Sequence, residues 1–311
     1  MKEIKVIFVG TPEFAVPSLQ SLIRNTDFKV EAVITQPDMP VGRKQVLTAP
    51  PVKIIAQECN IPVLQPQKIT QIIDQIRALQ PDVIVVAAYA QIIPENILSI
   101  PKYGCVNVHA SLLPRHRGAS VIQASILNND KKSGITIMLM DKTLDTGPIL
   151  SQTEISLDEN STTEWLYNEL AKLGGKVLTQ TLKKYIKGEI KPKAQDNSKA
   201  NYVGLLKKQD GLIDWSKSAE EIERFVRAMN PWPGAWTWVK GKQLKIIKVQ
   251  HHTIEINAQK VGKTFTYNNG LAVQCGKDSL IITGLQIEGK KEMTAQEFLR
   301  GNQDFTGSIL G

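Results

Sequence analysis

The sequence predicts an α/β domain, built on a doubly wound parallel sheet, followed by a small β-barrel. Two observations carry this. In the first two thirds of the chain, short apolar β-branched runs alternate with amphipathic segments, whereas from Trp236 onward short alternating strands are broken by turn residues. The length of 311 residues agrees with such a division, since one domain commonly takes about 100 to 200 residues. A hydrophobic fraction of 42% and a charged fraction of 22% supply enough apolar side chains for two cores and argue against wholesale disorder.

Residues 4–9, 30–35 and 83–88 are near-continuous apolar runs, the pattern of parallel strands covered on both faces. Lys2, Glu3 and Lys5 interrupt the opening run, so it reads as a first strand rather than a secretory leader. That strand ends in Gly10-Thr11-Pro12-Glu13-Phe14. No GxGxxG or GxxxxGK[ST] occurs, so the sheet lacks the glycines that cradle nucleotide phosphates and is expected to serve another ligand. The stretch 36–53 is long for an α/β connection. The clearest helix is 161–186, where Ser161 and Glu164 read as a capping box and Leu166, Leu170, Leu173 and Val177 recur at spacings of four, three and four. Gly174 and Gly175 are candidate interruptions. The aperiodic stretch after Gly188 reads as a linker. The expected organisation is therefore a first domain over 1–188, a basic linker over 189–209 and a C-terminal domain over 210–311. The last begins with a helix at 219–228, continues with strands at 235–239, 244–249, 271–275 and 279–283, and closes with a helix at 294–300.

No stretch approaches the roughly 18 uncharged apolar residues of a membrane-spanning helix, so no membrane partner is expected. Cys59, Cys105 and Cys275 are odd in number and far apart, which suggests neither a disulfide framework nor a thiolate metal site and points to the cytosol. The net charge of +8 is concentrated: between residues 171 and 210, ten lysines stand against three acidic residues. Lys240, Lys242, Lys245 and Lys248 form a second cluster. A lysine run is commonly a solvated helix face, but two clusters also suit a polyanionic partner.

Chemistry concentrates in Val106-Asn107-Val108-His109 and the following Ala110-Ser111-Leu112-Leu113-Pro114-Arg115-His116-Arg117-Gly118. Residues two apart on a strand share a face, so Asn107 and His109 project together at the strand's carboxyl end, where open α/β sheets bind ligands. An amide N–H there can meet a developing oxyanion and an imidazole can move a proton, the two requirements of acyl transfer. Ser111–Pro114 adds a Pro-stiffened bend with backbone polar groups suited to a flat heterocycle. Asp145 lies in a polar loop after the apolar run 135–140 and can orient His109; an Asx turn before Thr-Gly-Pro accounts for it equally well.

The string HASLLPRHRGAS, with NVH before it and LDTGPIL downstream, resembles the signature of folate-dependent formyltransferases. The resemblance implies Asn107, His109 and Asp145 as a catalytic trio, Ser111, Leu112, Leu113 and Pro114 as a folate-contacting turn, and 10-formyltetrahydrofolate as formyl donor, with no metal. Within that superfamily, GTPEFAVPSL, TQPDMPVGR, DGLIDW and NPWPGAWT are similar to the methionyl-tRNA formyltransferase family over almost the whole chain. This implies a Rossmann-like catalytic domain and a C-terminal OB-like, tRNA-binding barrel. It also implies formylation of the methionine α-amine on initiator methionyl-tRNA; a monomer is expected, although the sequence carries no signal of oligomeric state. The loop after the second strand, with Arg43, Lys44 and Lys53, would enter the tRNA acceptor region, and Lys207 and Lys208 in the linker, in the basic seam from Lys172 to Lys208, would grip tRNA phosphates. The chain departs from the family pattern at Gln45 or Val46, at Leu205 and in RGASVIQ. Formyl transfer or hydrolysis with a small acceptor is the alternative, and the C-terminal lysines argue against it. A non-catalytic RNA-binding protein would leave the trio unexplained. Trp232, Trp236 and Trp238 are expected to fill the barrel core rather than to stack on bases.

Overall fold

The computed structural model describes residues 3–42, 44–250, 254–257 and 259–311. It divides into two compact units, one of residues 1–121, 132–155 and 167–203, the other of 122–131, 156–166 and 204–311. In chain order the elements are β1 (Ile4–Gly10), α1 (Val16–Ile23), β2 (Phe28–Ile34), β3 (Met39–Val41), β4 (Val46–Thr48), α2 (Pro51–Glu58), β5 (Val63–Leu64), α3 (Ile73–Ala78), β6 (Val83–Ala87), α4 (Glu95–Leu98), β7 (Cys105–His109), β8 (Arg117–Gly118), α5 (Val121–Leu127), β9 (Lys132–Leu139), β10 (Ile149–Ser156), α6 (Thr163–Ile186) and β11 (Tyr202–Val203). There follow α7 (Ala219–Met229), β12 (Ala235–Val239), β13 (Lys242–Val249), β14 (Thr264–Tyr267), β15 (Gly270–Gln274), β16 (Ser279–Ile287), β17 (Met293–Thr294) and α8 (Ala295–Arg300).

The sheet of the first unit runs β10-β9-β7-β6-β1-β2-β5. β1 pairs in parallel with β2 and β6, β2 with β5, and β6 with β7, while β9 runs antiparallel to β7. The chain winds outward from β1 through β2 to β5 and then returns to β6 on the other side of β1. This reversal of strand order opens a crevice at the carboxyl ends of the strands, the place where such sheets bind ligands. All five residues of β6 are buried, as a two-sided sheet requires of an unbroken apolar run.

α6 differs from the sequence expectation in two ways. Ser161 does not cap it: the Ser161 hydroxyl donates to Asp158, and Thr162 Oγ1 accepts from the Trp165 N–H at 3.2 Å, so the cap sits one residue later. Gly174 and Gly175 do not interrupt it. A Cβ at Gly174 would lie 2.9 Å from the Val108 side chain of β7, and one at Gly175 would lie 2.6 Å from the carbonyl oxygen of Pro17 in α1. The two glycines let the helix approach the sheet and its neighbour closely enough to bury Leu170, Leu178 and Leu182. The stretch 36–53 is not a plain loop either; it forms the β3–β4 hairpin, with Met39, Val41, Val46 and Leu47 exposed.

The second unit is an antiparallel, barrel-like sheet of order β12-β13-β16-β15-β14, with β17 added to β16. Its hydrophobic core includes Trp215, Leu244, Leu271, Leu285 and Phe298. Ala219, Ile222, Val226 and Met229 of α7 face it at helical spacing. Asn268 and Asn269 join β14 to β15 with φ of 45° and 61°, the left-handed pair that a two-residue hairpin turn demands. Trp236 is buried as expected, but Trp232 and Trp238 are 57% and 42% exposed and lie outside the core.

Candidate active site

β7 delivers the first two residues. Val106 and Val108 turn toward one face, where Gly174 of α6 lies against Val108, and Asn107 and His109 turn toward the other. His109 is buried. Its Nε2 lies 2.9 Å from the carbonyl oxygen of His116. A carbonyl only accepts, so Nε2 carries the hydrogen and donates it. Nδ1 is then the position left for proton exchange, and it stands 3.7 Å from Asp145 Oδ1.

Asp145 follows a turn pinned by Asp141, whose Oδ1 accepts from the Thr143 N–H and the Thr146 hydroxyl. It holds φ of 53°, a left-handed conformation that aspartate tolerates better than most residues. Two residues on, a Cβ at Gly147 would sit 1.9 Å from the Leu139 carbonyl oxygen, so the turn closes against β9 only with glycine there. The Asp145 carboxylate is shared. Oδ1 faces His109 Nδ1 and also accepts from Asn107 Nδ2 at 3.5 Å, while Oδ2 accepts the Gly118 N–H at 2.8 Å. The structure thus brings Asn107, His109 and Asp145, the three residues the resemblance singles out, together around a single oxygen.

Ser111–Pro114 lies beside this trio but differs in one respect from expectation. Part of its backbone is already engaged within the protein: the Leu113 N–H donates to Thr136 Oγ1, the Ser111 carbonyl accepts from the Thr136 hydroxyl, and the Leu113 carbonyl accepts from Gln152 Nε2. The Ser111 hydroxyl is directed to the carbonyl oxygens of Arg115 and His116. Thr136 of β9 and Gln152 of β10 claim these backbone groups because a buried polar atom without a partner is costly. What the turn leaves half-exposed is Leu112 and Pro114, an apolar surface for a flat ring.

Several groups near these residues were not legible in the sequence. At the carboxyl end of β6, Ala88 and Ala90 adopt φ of 47° and 64° on either side of the buried Tyr89. The Tyr89 carbonyl accepts from Gln36 Nε2 at 3.0 Å, and Gln91 donates to Gln36 Oε1. Burial pushes the Tyr89 phenol up to about 12, so its hydroxyl stays protonated. The 189–209 stretch, expected to be a linker, is bound to the first unit through residue 203. β11 pairs in parallel with β8, Asn201 Oδ1 accepts the His116 N–H at 2.7 Å, and Gln195 Nε2 donates to the carbonyls of Asp145 and Gly147. Polar side chains with distant partners leave no local periodicity to read.

Of the residues expected to meet tRNA, Lys44, Lys207 and Lys208 are exposed, Arg43 lies outside the described residues, and Lys53 forms an ion pair with Asp38 at 2.8 Å. No group of acidic, histidine or cysteine side chains among the described residues could hold a metal ion. No helix among them is long and apolar enough to cross a membrane.

Residues 2–182 match the formyl transferase family and residues 205–303 match the formyl transferase C-terminal domain. The chain is 44% identical over 314 residues to the methionyl-tRNA formyltransferase of Citrifermentans bemidjiense, an alignment covering 100% of this chain and 98% of the relative. It is 43% identical over 310 residues to that of Bacillus subtilis, covering 99% and 98%. In fold it is similar to a sugar 3N-formyl transferase crystallised in the presence of dTDP and 5-N-formyl-THF. That likeness has a TM-score of 0.66 at 23% identity over 94% of this chain and 100% of the other. A shared carboxylate beneath an amide and an imidazole, on a Rossmann-like sheet followed by a barrel-like unit, is accordingly what the methionyl-tRNA formyltransferase family, to which the chain belongs, has here.

Proposed function

We propose that the chain moves a formyl group from 10-formyltetrahydrofolate to the α-amine of methionine on initiator methionyl-tRNA. The observation that carries this is the single Asp145 Oδ1 standing 3.5 Å from Asn107 Nδ2 and 3.7 Å from His109 Nδ1. It orients a hydrogen-bond donor and a proton carrier toward one point. The methionine amine attacks the formyl carbon, and the new C–N bond pushes charge onto the formyl oxygen. The Asn107 N–H meets that oxyanion. His109 Nδ1 receives the proton released from the attacking nitrogen and returns it to the folate nitrogen as the old C–N bond breaks. Asp145 faces the imidazolium while it exists. Leu112 and Pro114 present apolar surface to the folate, and Gln36 with the backbone at 88–90 offers polar groups at its edge. Relatives named for methionyl-tRNA support the acceptor, and exposed Lys44, Lys207 and Lys208 are suited to its phosphates.

The test is formyl transfer to methionyl-initiator tRNA, with a tRNA-free reaction and Asn107→Ala as controls. Transfer that drops about 10²- to 10³-fold in the variant is expected for one lost oxyanion donor. Deformylation of the folate with no formylated tRNA would overturn the acceptor and leave a small-acceptor or hydrolytic reaction at the same trio.

A further inference from the structure

Gln195 lies outside the trio, yet its side-chain amide is committed on all sides, to the backbone around Asp145 and to the Arg117 guanidinium. Nε2 donates to the Asp145 carbonyl at 2.9 Å and to the Gly147 carbonyl at 2.7 Å. Oε1 accepts from Arg117 Nη2 at 2.8 Å and from Nε at 3.2 Å. Two donors and two lone pairs exhaust what an amide can offer. Arg117, buried at 2% exposure, is itself fixed: Nη2 also donates to Asn197 Oδ1, Nη1 donates to the Tyr202 hydroxyl, and the guanidinium lies over the Tyr202 ring. The next residue, Gly118, supplies the N–H that holds Asp145 Oδ2. The Asp145 turn is therefore gripped on its backbone by Gln195 and on its carboxylate by the neighbour of the arginine that anchors Gln195. A few residues on, Asn201 does the corresponding work for His116, whose carbonyl fixes His109.

We infer that Gln195 is a positioning residue for formyl transfer, setting where Asp145 stands through the 145–147 backbone. The inference rests on the reading of Asp145 given above. It places part of the catalytic apparatus in a segment that sequence composition assigns to a linker. Gln195 touches neither reacting group; it acts by fixing the carboxylate that serves Asn107 and His109 together. A displacement of about 1 Å at such a site can cost about 10²-fold in rate.

Two substitutions in the full chain separate positioning from simple bracing. Gln195→Met keeps length and volume and loses all four hydrogen bonds. Gln195→Glu keeps the acceptor toward Arg117, strengthened by charge, but loses both donors and turns an oxygen toward two carbonyls. Each is measured by steady-state formyl transfer to methionyl-initiator tRNA, alone and combined with Asp145→Asn, with thermal unfolding to establish folding. Positioning predicts that both lower kcat by about 10- to 10²-fold while KM for the tRNA stays within about twofold. It also predicts that neither lowers the residual rate of Asp145→Asn further, because residues acting as one unit are not additive. Gln195→Glu with parental kcat would overturn the inference, since the arginine link would then suffice, and so would losses that multiply with Asp145→Asn. If Gln195→Met fails to fold, Gln195→Glu, which retains the Arg117 link, decides alone. Asp145→Asn with the parental rate would instead remove the functional reading itself, a result distinct from both.

Discussion

Asn107 and His109 show how little a sequence must say for a site to be read. Their spacing of two on an apolar run places both on one strand face, and the structure has them there. Asp145 is different. Its place beside His109 depends on a left-handed turn, on Gly147 closing against Leu139 and on the Gly118 N–H, none of which composition or periodicity reveals; only the resemblance pointed to it. Gln195 left no sign, because its partners are 50 and 78 residues away in sequence. The grip on Asp145 makes Gly118 a sensitive position. It holds φ of 110°, and a Cβ there would lie 2.2 Å from the Val203 carbonyl oxygen. Gly118→Ala is expected to force β8 away from β11, at a cost of about 1–3 kcal/mol from the backbone conformation alone. Formyl transfer should fall with it, and a variant with parental melting temperature and rate would contradict this account of the carboxylate.

At the scale of elements, helices were the most readable parts. α6 ends at residue 186 as its periodicity predicts, and α7 exceeds the expected span by one residue. The misread features are those that depend on what lies opposite. Gly174 and Gly175 look like interruptions until Val108 and Pro17 are placed against them. Gly175→Ala therefore opposes two effects: helix propensity gains about 1 kcal/mol, while the new methyl meets a main-chain oxygen at 2.6 Å that cannot move aside cheaply. The clash should win, lowering the melting temperature, and a stabilised variant would show that α6 can slide. In α7, Arg227 and Glu223 form a largely buried pair at 2.6 and 3.0 Å, and Arg227 also donates to the Ser161 carbonyl. Removing one member leaves the other charge buried. Arg227→Met is thus expected to cost about 3–5 kcal/mol, readable in denaturant unfolding.

For the whole molecule, composition indicated where charge gathers but not how much of it is neutralised. Lys172, Lys183 and Lys199 of the lysine-rich stretch pair with Glu169, Asp27 and Asp196. If the remaining lysines meet phosphates, binding of methionyl-tRNA should weaken steeply and log-linearly with salt. Thiols give a second global measure. Cys59 is exposed, whereas burial pushes Cys105 and Cys275 from an ordinary 9.0 up to about 12. A thiol reagent at pH 8 should modify one cysteine in the folded chain and three after denaturation. A raised pKa on an acid favours the protonated form in the fold. Its stabilising effect is therefore complete below about 9 and is lost as pH rises from there toward 12. Unfolding midpoints measured across that range should fall.

The union of β11 with β8 bears on how the enzyme could be cut. Lys193 and Lys199 are exposed on the stretch that carries Gln195 and Asn201, so trypsin has two places to sever it, the Lys191 bond being shielded by Pro192. A fragment ending at residue 188 would keep Asn107, His109 and Asp145 and yet lack the strap that braces them. If the proposed trio carries the chemistry, a nick in what looks like dispensable chain should abolish formyl transfer while leaving Asn107, His109 and Asp145 in the chain, which an activity assay after limited proteolysis checks.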